Sequence, residues 1–214
     1  MLRQILPLAC LALAACSPSD NGPTGNPETK AYDFKNFTRV KAEAGIQLNL
    51  TQGPFAVSAQ SKRGDLSRLK VELRGDELSI SSEAHFTIGS SSLYAVSVTA
   101  PTYKAIEATA GVVVRGDDLM LEDLSVAISA GVDARLSGSC KSLTATVSAG
   151  AVLKADTMKC LAATVSAAAG AVADVYASER ANLSASAGAK VSIDGHPASV
   201  EKNADIAGVI EVKN

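Results

Sequence analysis

The chain has 214 residues, of which 47% are hydrophobic but only 4% aromatic, and its formal net charge is −2. Its 20 Lys and Arg are balanced by 22 Asp and Glu, so it lacks the basic excess that nucleic-acid binding requires, and we exclude nucleic acid as a partner. A core made of Ala, Val, Leu and Ile suits a narrow interior.

Residues 1–15 have the features of a signal peptide. Arg3 supplies a positive charge, an apolar run follows, and the segment ends in Leu13-Ala14-Ala15-Cys16. This pattern is similar to a bacterial lipoprotein signal, in which the cysteine is diacylated and becomes the mature N-terminus, so Cys16 is the predicted lipidation site. Ser17, in place of Asp, indicates the outer membrane by analogy with enterobacterial sorting. The alternatives are an ordinary secretory signal and an uncleaved anchor.

Residues 16–30 are predicted to be a lipidated flexible tether. Three prolines are interleaved there with Gly, Asn and Ser, and the segment contains too little apolar surface to fold. The tether would hold a folded domain, predicted over residues 31–214, away from the membrane to which the lipid attaches it.

The first part of that domain contains four segments in which apolar and polar residues alternate. They read FTRVKAEAGIQLNLTQG, FAVSAQS, LKVELRGDELSISS and YAVSVTAP, and Gly, Pro and Ser separate them. Alternation with a period of two is typical of half-buried strands, so this part is predicted to be all β.

A repeat of about 20 residues fills the rest of the chain. Ala-Gly pairs recur at steps of 20, 19, 20, 18 and 20 residues, with their glycines at Gly111, Gly131, Gly150, Gly170, Gly188 and Gly208. Short alternating strands lie between the pairs. This pattern predicts a parallel β-solenoid whose coils bend at the Ala-Gly pairs and stack directly on one another. The segment TVSAAAGAV carries two extra residues relative to TVSAGAV, which leaves either Ala168 or Gly170 at that corner.

Stacked coils align equivalent residues into ladders about 4.8 Å apart. The position four residues after the glycine holds Arg115, Arg135 and Lys154, followed by Asp174. These three cations are a possible binding ladder for a glycan or an envelope protein. The alternative is an ordinary row of solvated side chains, partly neutralised by acidic neighbours.

The ordered segments, the serial SAG corners and the final GHPASVEKNADIAGVIEVKN resemble the auto-transporter adhesin head domain, also called the GIN domain, of exported bacterial proteins. The resemblance implies a right-handed parallel β-helix on the cell envelope and a role in adhesion, and it supplies no catalytic residues. Family members commonly carry SGAG at the corners, whereas this chain mostly carries SAG.

Cys140 and Cys160 lie one coil apart, which in an exported protein favours a disulfide; two buried free thiols are the alternative. Arg-Gly-Asp occurs at 63–65, 74–76 and 115–117 and is interpreted as exposed turns. The acidic residues of GDDLMLED are interpreted as a solvated turn in preference to a calcium site.

No catalytic, cofactor or metal site is predicted, because the two histidines lie far apart and no known catalytic or ligand spacing occurs. The leading hypothesis is a non-enzymatic, lipid-anchored envelope protein that presents a rigid solenoid surface for adhesion. The alternatives are a carbohydrate-active β-helix enzyme, of the polysaccharide lyase or hydrolase type, and a purely structural envelope protein.

Overall fold

The computed structural model describes residues 28–61, 65–83 and 94–213, which form 18 strands and no helix. The strands are β1 (Glu28–Tyr32), β2 (Arg39–Glu43), β3 (Gln47–Gln52), β4 (Ala56–Ser61), β5 (Leu69–Arg74), β6 (Glu77–Ser82), β7 (Tyr94–Ala100), β8 (Ala105–Thr109), β9 (Val113–Met120), β10 (Asp123–Ile128), β11 (Asp133–Val147), β12 (Val152–Ala155), β13 (Met158–Ala167), β14 (Val172–Tyr176), β15 (Arg180–Ala185), β16 (Lys190–Asp194), β17 (Ser199–Ala204) and β18 (Val209–Val212).

From β8 onward, each strand pairs in parallel with the strand one coil later. Asp133 pairs with Val113 on one side and Val152 on the other, and Val172 pairs with Lys190. These pairs are 20, 19 and 18 residues apart, so the predicted all-β solenoid with coils of 18–20 residues is confirmed.

Each coil contributes one strand to each of two long faces. Face A contains the strands β6, β2, β8, β10, the end of β11, β13, β15 and β17, in that order. Face B contains β7, β3, β9, the start of β11, β12, β14, β16 and β18. The middle of β11 pairs with the start of β13 on a short third side, so β11 passes through all three sides of its coil.

Strands β4 to β7 are an insertion in the sequence between the first coil and the second. Strands β2 and β3 form a coil that stacks on β8 and β9, and the Gly45 N–H donates to Ala110 O at 2.9 Å. Five further strands form three antiparallel pairs: β4 with β7, β1 with β4, and β5 with β6. Strand β1 begins at Glu28, inside the segment predicted as tether; Cys16 and the rest of that segment lie outside the described residues.

The Ala-Gly corner is a tight turn in which both residues adopt positive φ. At one corner, Ala149 has φ 51° and Gly150 has φ 69°, and the Ala151 N–H donates to Ser148 O at 3.1 Å. Positive φ at both central residues is the feature of a type I′ turn, which explains the glycine at the second position. The Gly150 N–H also donates to Ala169 O of the next coil, so successive corners lie directly over one another.

The structure resolves one detail that the predicted repeat left open and corrects another. Thr144 pairs with Thr164 and Val147 with Ala167, so the coil has no extra residues and Gly170 occupies its corner. In the last coil the residues with positive φ are Ile206 and Ala207. Gly208 therefore follows the corner, one position later than predicted.

Small apolar side chains fill the interior, and the few aromatic ones gather near the inserted strands. Leu143, Ala163 and Ala181 occupy equivalent inward positions in successive coils, and all three are buried. Phe37 and Tyr103 are fully buried near the N-terminal end, where the Tyr103 hydroxyl lies 2.7 Å from Thr51 O. Among the described residues, no helix has the length and hydropathy needed to cross a bilayer.

Candidate functional site

The structure brings together the three cations of the predicted ladder on face B. Arg135 pairs with Arg115 in the preceding coil and with Lys154 in the following one, and all three side chains are exposed. Adjacent strands of a sheet lie about 4.8 Å apart, so the backbone spaces these positive charges regularly along the solenoid axis. We refer to Arg115, Arg135 and Lys154 as the cationic ladder.

Local carboxylates neutralise this ladder only in part. Asp133 Oδ1 lies 3.3 Å from Arg135 Nε, although the contact is not aligned as a hydrogen bond. Within the described ranges, Arg115 and Lys154 have no ion-pair partner. Like charges directly opposite each other on a sheet repel, so the ladder is a surface on which a bound anion would relieve repulsion.

The charge on face B changes sign beyond the cationic ladder, toward the C-terminal end of the solenoid. Lys154 pairs with Asp174, so the next position carries a carboxylate. One coil further, Lys190 Nζ lies 2.9 Å from Glu211 Oε2. The hydrogen bond to Glu211, together with the charge of that carboxylate, raises the pKa of Lys190. On face B, the coils that follow the cationic ladder therefore carry a carboxylate and then a paired lysine.

Half-buried valines border the ladder on the side of the Ala-Gly corner. Val113 and Val152 lie two residues before Arg115 and Lys154 and point out of the same face. Apolar surface beside a row of cations suits a ligand that carries both acidic groups and a carbon skeleton, such as an acidic glycan or an acidic protein segment.

A disulfide joins Cys140 to Cys160 on the third side of the solenoid. The two residues are register partners in adjacent coils, their Cα atoms are 4.4 Å apart, and both side chains are buried. The bond therefore links two coils that the sheet has already placed together.

The Arg-Gly-Asp sequences do not share one structural context. Residues 74–76 form the turn between β5 and β6, as predicted. Residues 115–117 lie inside β9, so the predicted turn there is wrong. A Cβ on Gly116 would come within 2.9 Å of Leu119 Cδ1, which shows that the core fills the space beside that glycine. Residues 63 and 64 lie outside the described part.

The acidic residues of GDDLMLED are spread along the backbone. Asp117 and Asp118 belong to β9, Asp123 accepts a hydrogen bond from the Ser142 hydroxyl, and Glu122 pairs with Lys141. In the described part of the chain, no three His, Cys, Asp or Glu side chains are grouped so that they could hold a metal ion. His196 is exposed, and His85 lies outside the described residues.

With this fold and surface established, the family assignment is direct. Residues 36–197 match the family described as "putative auto-transporter adhesin, head GIN domain". The chain belongs to this family. The match covers most of the chain, and it confirms the resemblance that the strand segments and serial corners indicated.

Solved structures share the architecture at low sequence identity. A "putative adhesin" from Bacteroides fragilis is 14% identical with a TM-score of 0.66, and the match covers 89% of this chain and 99% of that one. A "putative lipid binding protein" from Parabacteroides distasonis is also 14% identical, with a TM-score of 0.55 and coverage of 90% and 98%. At this identity the likeness establishes the fold. No curated protein matches the chain.

Membership of an adhesin head family supports a non-enzymatic, adhesin-like role at the cell envelope or surface. Sequence reasoning located the cationic ladder but did not single out the outward side of face A as a site. The signal was present in LSVAISAG and LTATVSAG, where Ser, Thr and Ala occupy the positions that alternate with the core residues.

Proposed function

We propose that this GIN-domain chain is a lipid-anchored adhesin of the outer membrane, whose rigid solenoid binds an anionic glycan or envelope protein along the cationic ladder. The register of Arg115, Arg135 and Lys154 carries this proposal. A stacked backbone holds the three charges at fixed spacing, so no ordering of a loop has to accompany binding, and a preorganised surface loses less entropy.

The ligand class follows from the local charge. Two of the three cations lack a carboxylate partner in the described residues, and the third, Arg135, has only Asp133 beside it. Lys35, Lys70 and Lys141, by contrast, are each paired with a carboxylate. An acidic polymer that runs along the solenoid axis would meet the three charges in succession. Each exposed ion pair contributes roughly 0.2–1 kcal/mol, so the ladder favours a multivalent anion over a small one.

The test compares binding of polygalacturonate and heparin, as acidic probes, to the whole chain and to the triple variant Arg115→Gln, Arg135→Gln and Lys154→Gln. Three lost pairs predict a decrease in affinity of about three- to a hundredfold, which high salt should mimic in the unaltered protein.

The matched control is Lys35→Gln, Lys70→Gln and Lys141→Gln, which changes net charge equally but removes cations that already have partners. Equal losses in the two triple variants would show that only net charge matters and would refute the ladder as the site.

The lipid anchor rests on the sequence pattern at Cys16. Cys16→Ser should abolish incorporation of labelled palmitate and release the protein from the membrane fraction, whereas Cys10→Ser should change neither. Continued labelling of Cys16→Ser would overturn this part of the proposal.

A further inference from the structure

The outward side of face A carries a continuous field of small uncharged side chains over four coils. One row holds Ser125, Thr144, Thr164 and Asn182, and the neighbouring row holds Ala127, Thr146, Ser166 and Ser184. A third row holds Ser129, Ser148, Ala168 and Ser186. Nine of these twelve residues carry a hydroxyl. We refer to these twelve residues as the hydroxyl floor.

Longer side chains border the N-terminal half of this floor, where two recesses lie. Near the Ala-Gly corners, a recess of about 380 Å³ is lined by Lys41, Glu43 and Glu107 together with floor residues of β10 and β11. At the opposite edge of the same strands, a recess of about 510 Å³ is lined by Lys104, Glu122 and Asp123, again with floor residues. At the C-terminal end of the floor, Glu201 follows Asn182 in the same row of face A.

The solenoid does not impose this composition. Outward positions on face B, in the same coils, carry Arg135, Lys154, Asp174 and Val172. The backbone thus accepts long, charged and β-branched side chains at outward positions, whereas face A has none of the charged ones over the floor. The difference between the faces is a property of side-chain choice.

The hydroxyls of the floor are available to a ligand. Within the described residues, Thr144, Thr146 and Thr164 make no side-chain hydrogen bond to another protein group. Each hydroxyl both donates and accepts, so together they form a regular array of mixed hydrogen-bonding sites. Neighbouring sites lie about 4.8 Å apart along the solenoid axis and about 6.6–6.8 Å apart along a strand.

Charges of both signs border the floor, since Glu43 pairs with Lys41, Glu107 with Arg39 and Glu122 with Lys141. The border therefore has no excess of positive charge that would attract an acidic ligand. The same carboxylates accept hydrogen bonds from neutral hydroxyl groups.

A second copy of this chain is a poorer occupant. Long side chains at the edges would hold another flat sheet off the floor, and hydroxyls buried against it without partners would cost free energy.

We infer that the hydroxyl floor of face A is a binding site for an uncharged polysaccharide. The polymer would lie across the floor, with its hydroxyls on Thr144, Thr146 and Thr164 and on the bordering carboxylates. This inference rests on the adhesin-like role proposed above, but it uses the other face and an uncharged ligand in place of an anionic one.

Affinity electrophoresis and calorimetry with dextran, laminarin, galactomannan and xyloglucan test the inference on the whole chain. At least one neutral polymer should bind, and the triple variant Thr144→Val, Thr146→Val and Thr164→Val should bind it about tenfold or more weakly, because up to three hydrogen bonds are lost. Valine keeps the β-branched shape and strand preference of threonine, so the fold should be unaffected.

The matched control is Thr51→Val with Thr99→Val, which removes hydroxyls from face B. Full affinity in this control and in the Gln ladder variant would support the inference. Binding by none of the four polymers, or unchanged affinity in the Thr-to-Val floor variant, would overturn it while leaving acidic binding to the ladder intact. A wild-type dimer that Thr146→Arg abolishes would also overturn it, since a second copy would then occupy the floor.

Discussion

Loss of the disulfide between Cys140 and Cys160 is expected to destabilise the solenoid without changing its register. The two cysteines face each other across adjacent coils, which are also joined beside them by the backbone pairing of Ser139 with Lys159 and by the Gly138 N–H, which donates to Thr157 O at 3.3 Å. These backbone bonds persist when the crosslink is cut. The cost therefore arises mainly in the unfolded chain, which gains freedom when the link is absent.

The magnitude follows from the length of chain between the two cysteines. Their sequence separation is 20 residues, for which the chain-entropy account gives about 3 kcal/mol. In a protein of this size, each kcal/mol corresponds to about 2–4 °C in the melting temperature, so reduction should lower it by about 6–12 °C.

Circular dichroism melts of the oxidised and the reduced protein measure this shift. The double variant Cys140→Ala with Cys160→Ala should melt close to the reduced protein, and reducing agent should not lower its melting temperature further. A difference between oxidised and reduced protein below about 2 °C, which corresponds to less than about 1 kcal/mol, would refute the assumption that the unfolded state carries the effect.

Four further changes test other parts of the fold. In denaturant titration, Gly150→Ala should lower the unfolding free energy by about 1 kcal/mol, because the φ of Gly150 is 69°, although a Cβ would meet nothing within 4 Å. Ile206→Asn should raise the unfolding free energy by about 1 kcal/mol, because the β-branched Ile206 has φ 42° and asparagine tolerates positive φ better. Tyr103→Phe should lower the unfolding free energy by about 1–3 kcal/mol, since it removes the hydroxyl that, among the described side chains, is the only hydrogen-bond donor to Thr51 O and Val98 O. Lys202 pairs with the inward-facing Leu183, so in the last described coil it places a charge over the end of the core. Lys202→Leu should therefore cause self-association in sedimentation velocity, whereas the control Arg180→Leu should stay monomeric.

The coil length and the corners could be predicted because the glycine spacing records them directly. A residue with positive φ is needed at the same point of every coil, and glycine adopts this conformation most readily. The corner requires positive φ at two residues and not only at the glycine, since Ala149 shares the left-handed conformation with Gly150. Alanine gives no sequence signal for that conformation.

The pairing of the N-terminal strands could not be predicted, because it joins residues far apart in the chain. Each segment alternates correctly, but nothing local indicates that β2 should pair with β8 after five intervening strands, four of which form antiparallel pairs. Gly116 was misread as a turn for the same reason. Its place inside a strand depends on Leu119 and Leu136, whose side chains fill the space that a Cβ would occupy.

Function is more visible at outward positions than at inward ones, because packing restricts only the latter. Val132, Ala134 and Leu136 are buried and must fit the neighbouring coils, whereas Arg135 on face B and Thr144 on face A contact solvent. Both faces are built from the same coils with the same strand spacing, so neither the charge of one nor the neutrality of the other is a requirement of folding. A solenoid with two faces of different chemistry is thus suited to two ligands of different charge, and substitutions on one face should leave binding on the other unchanged.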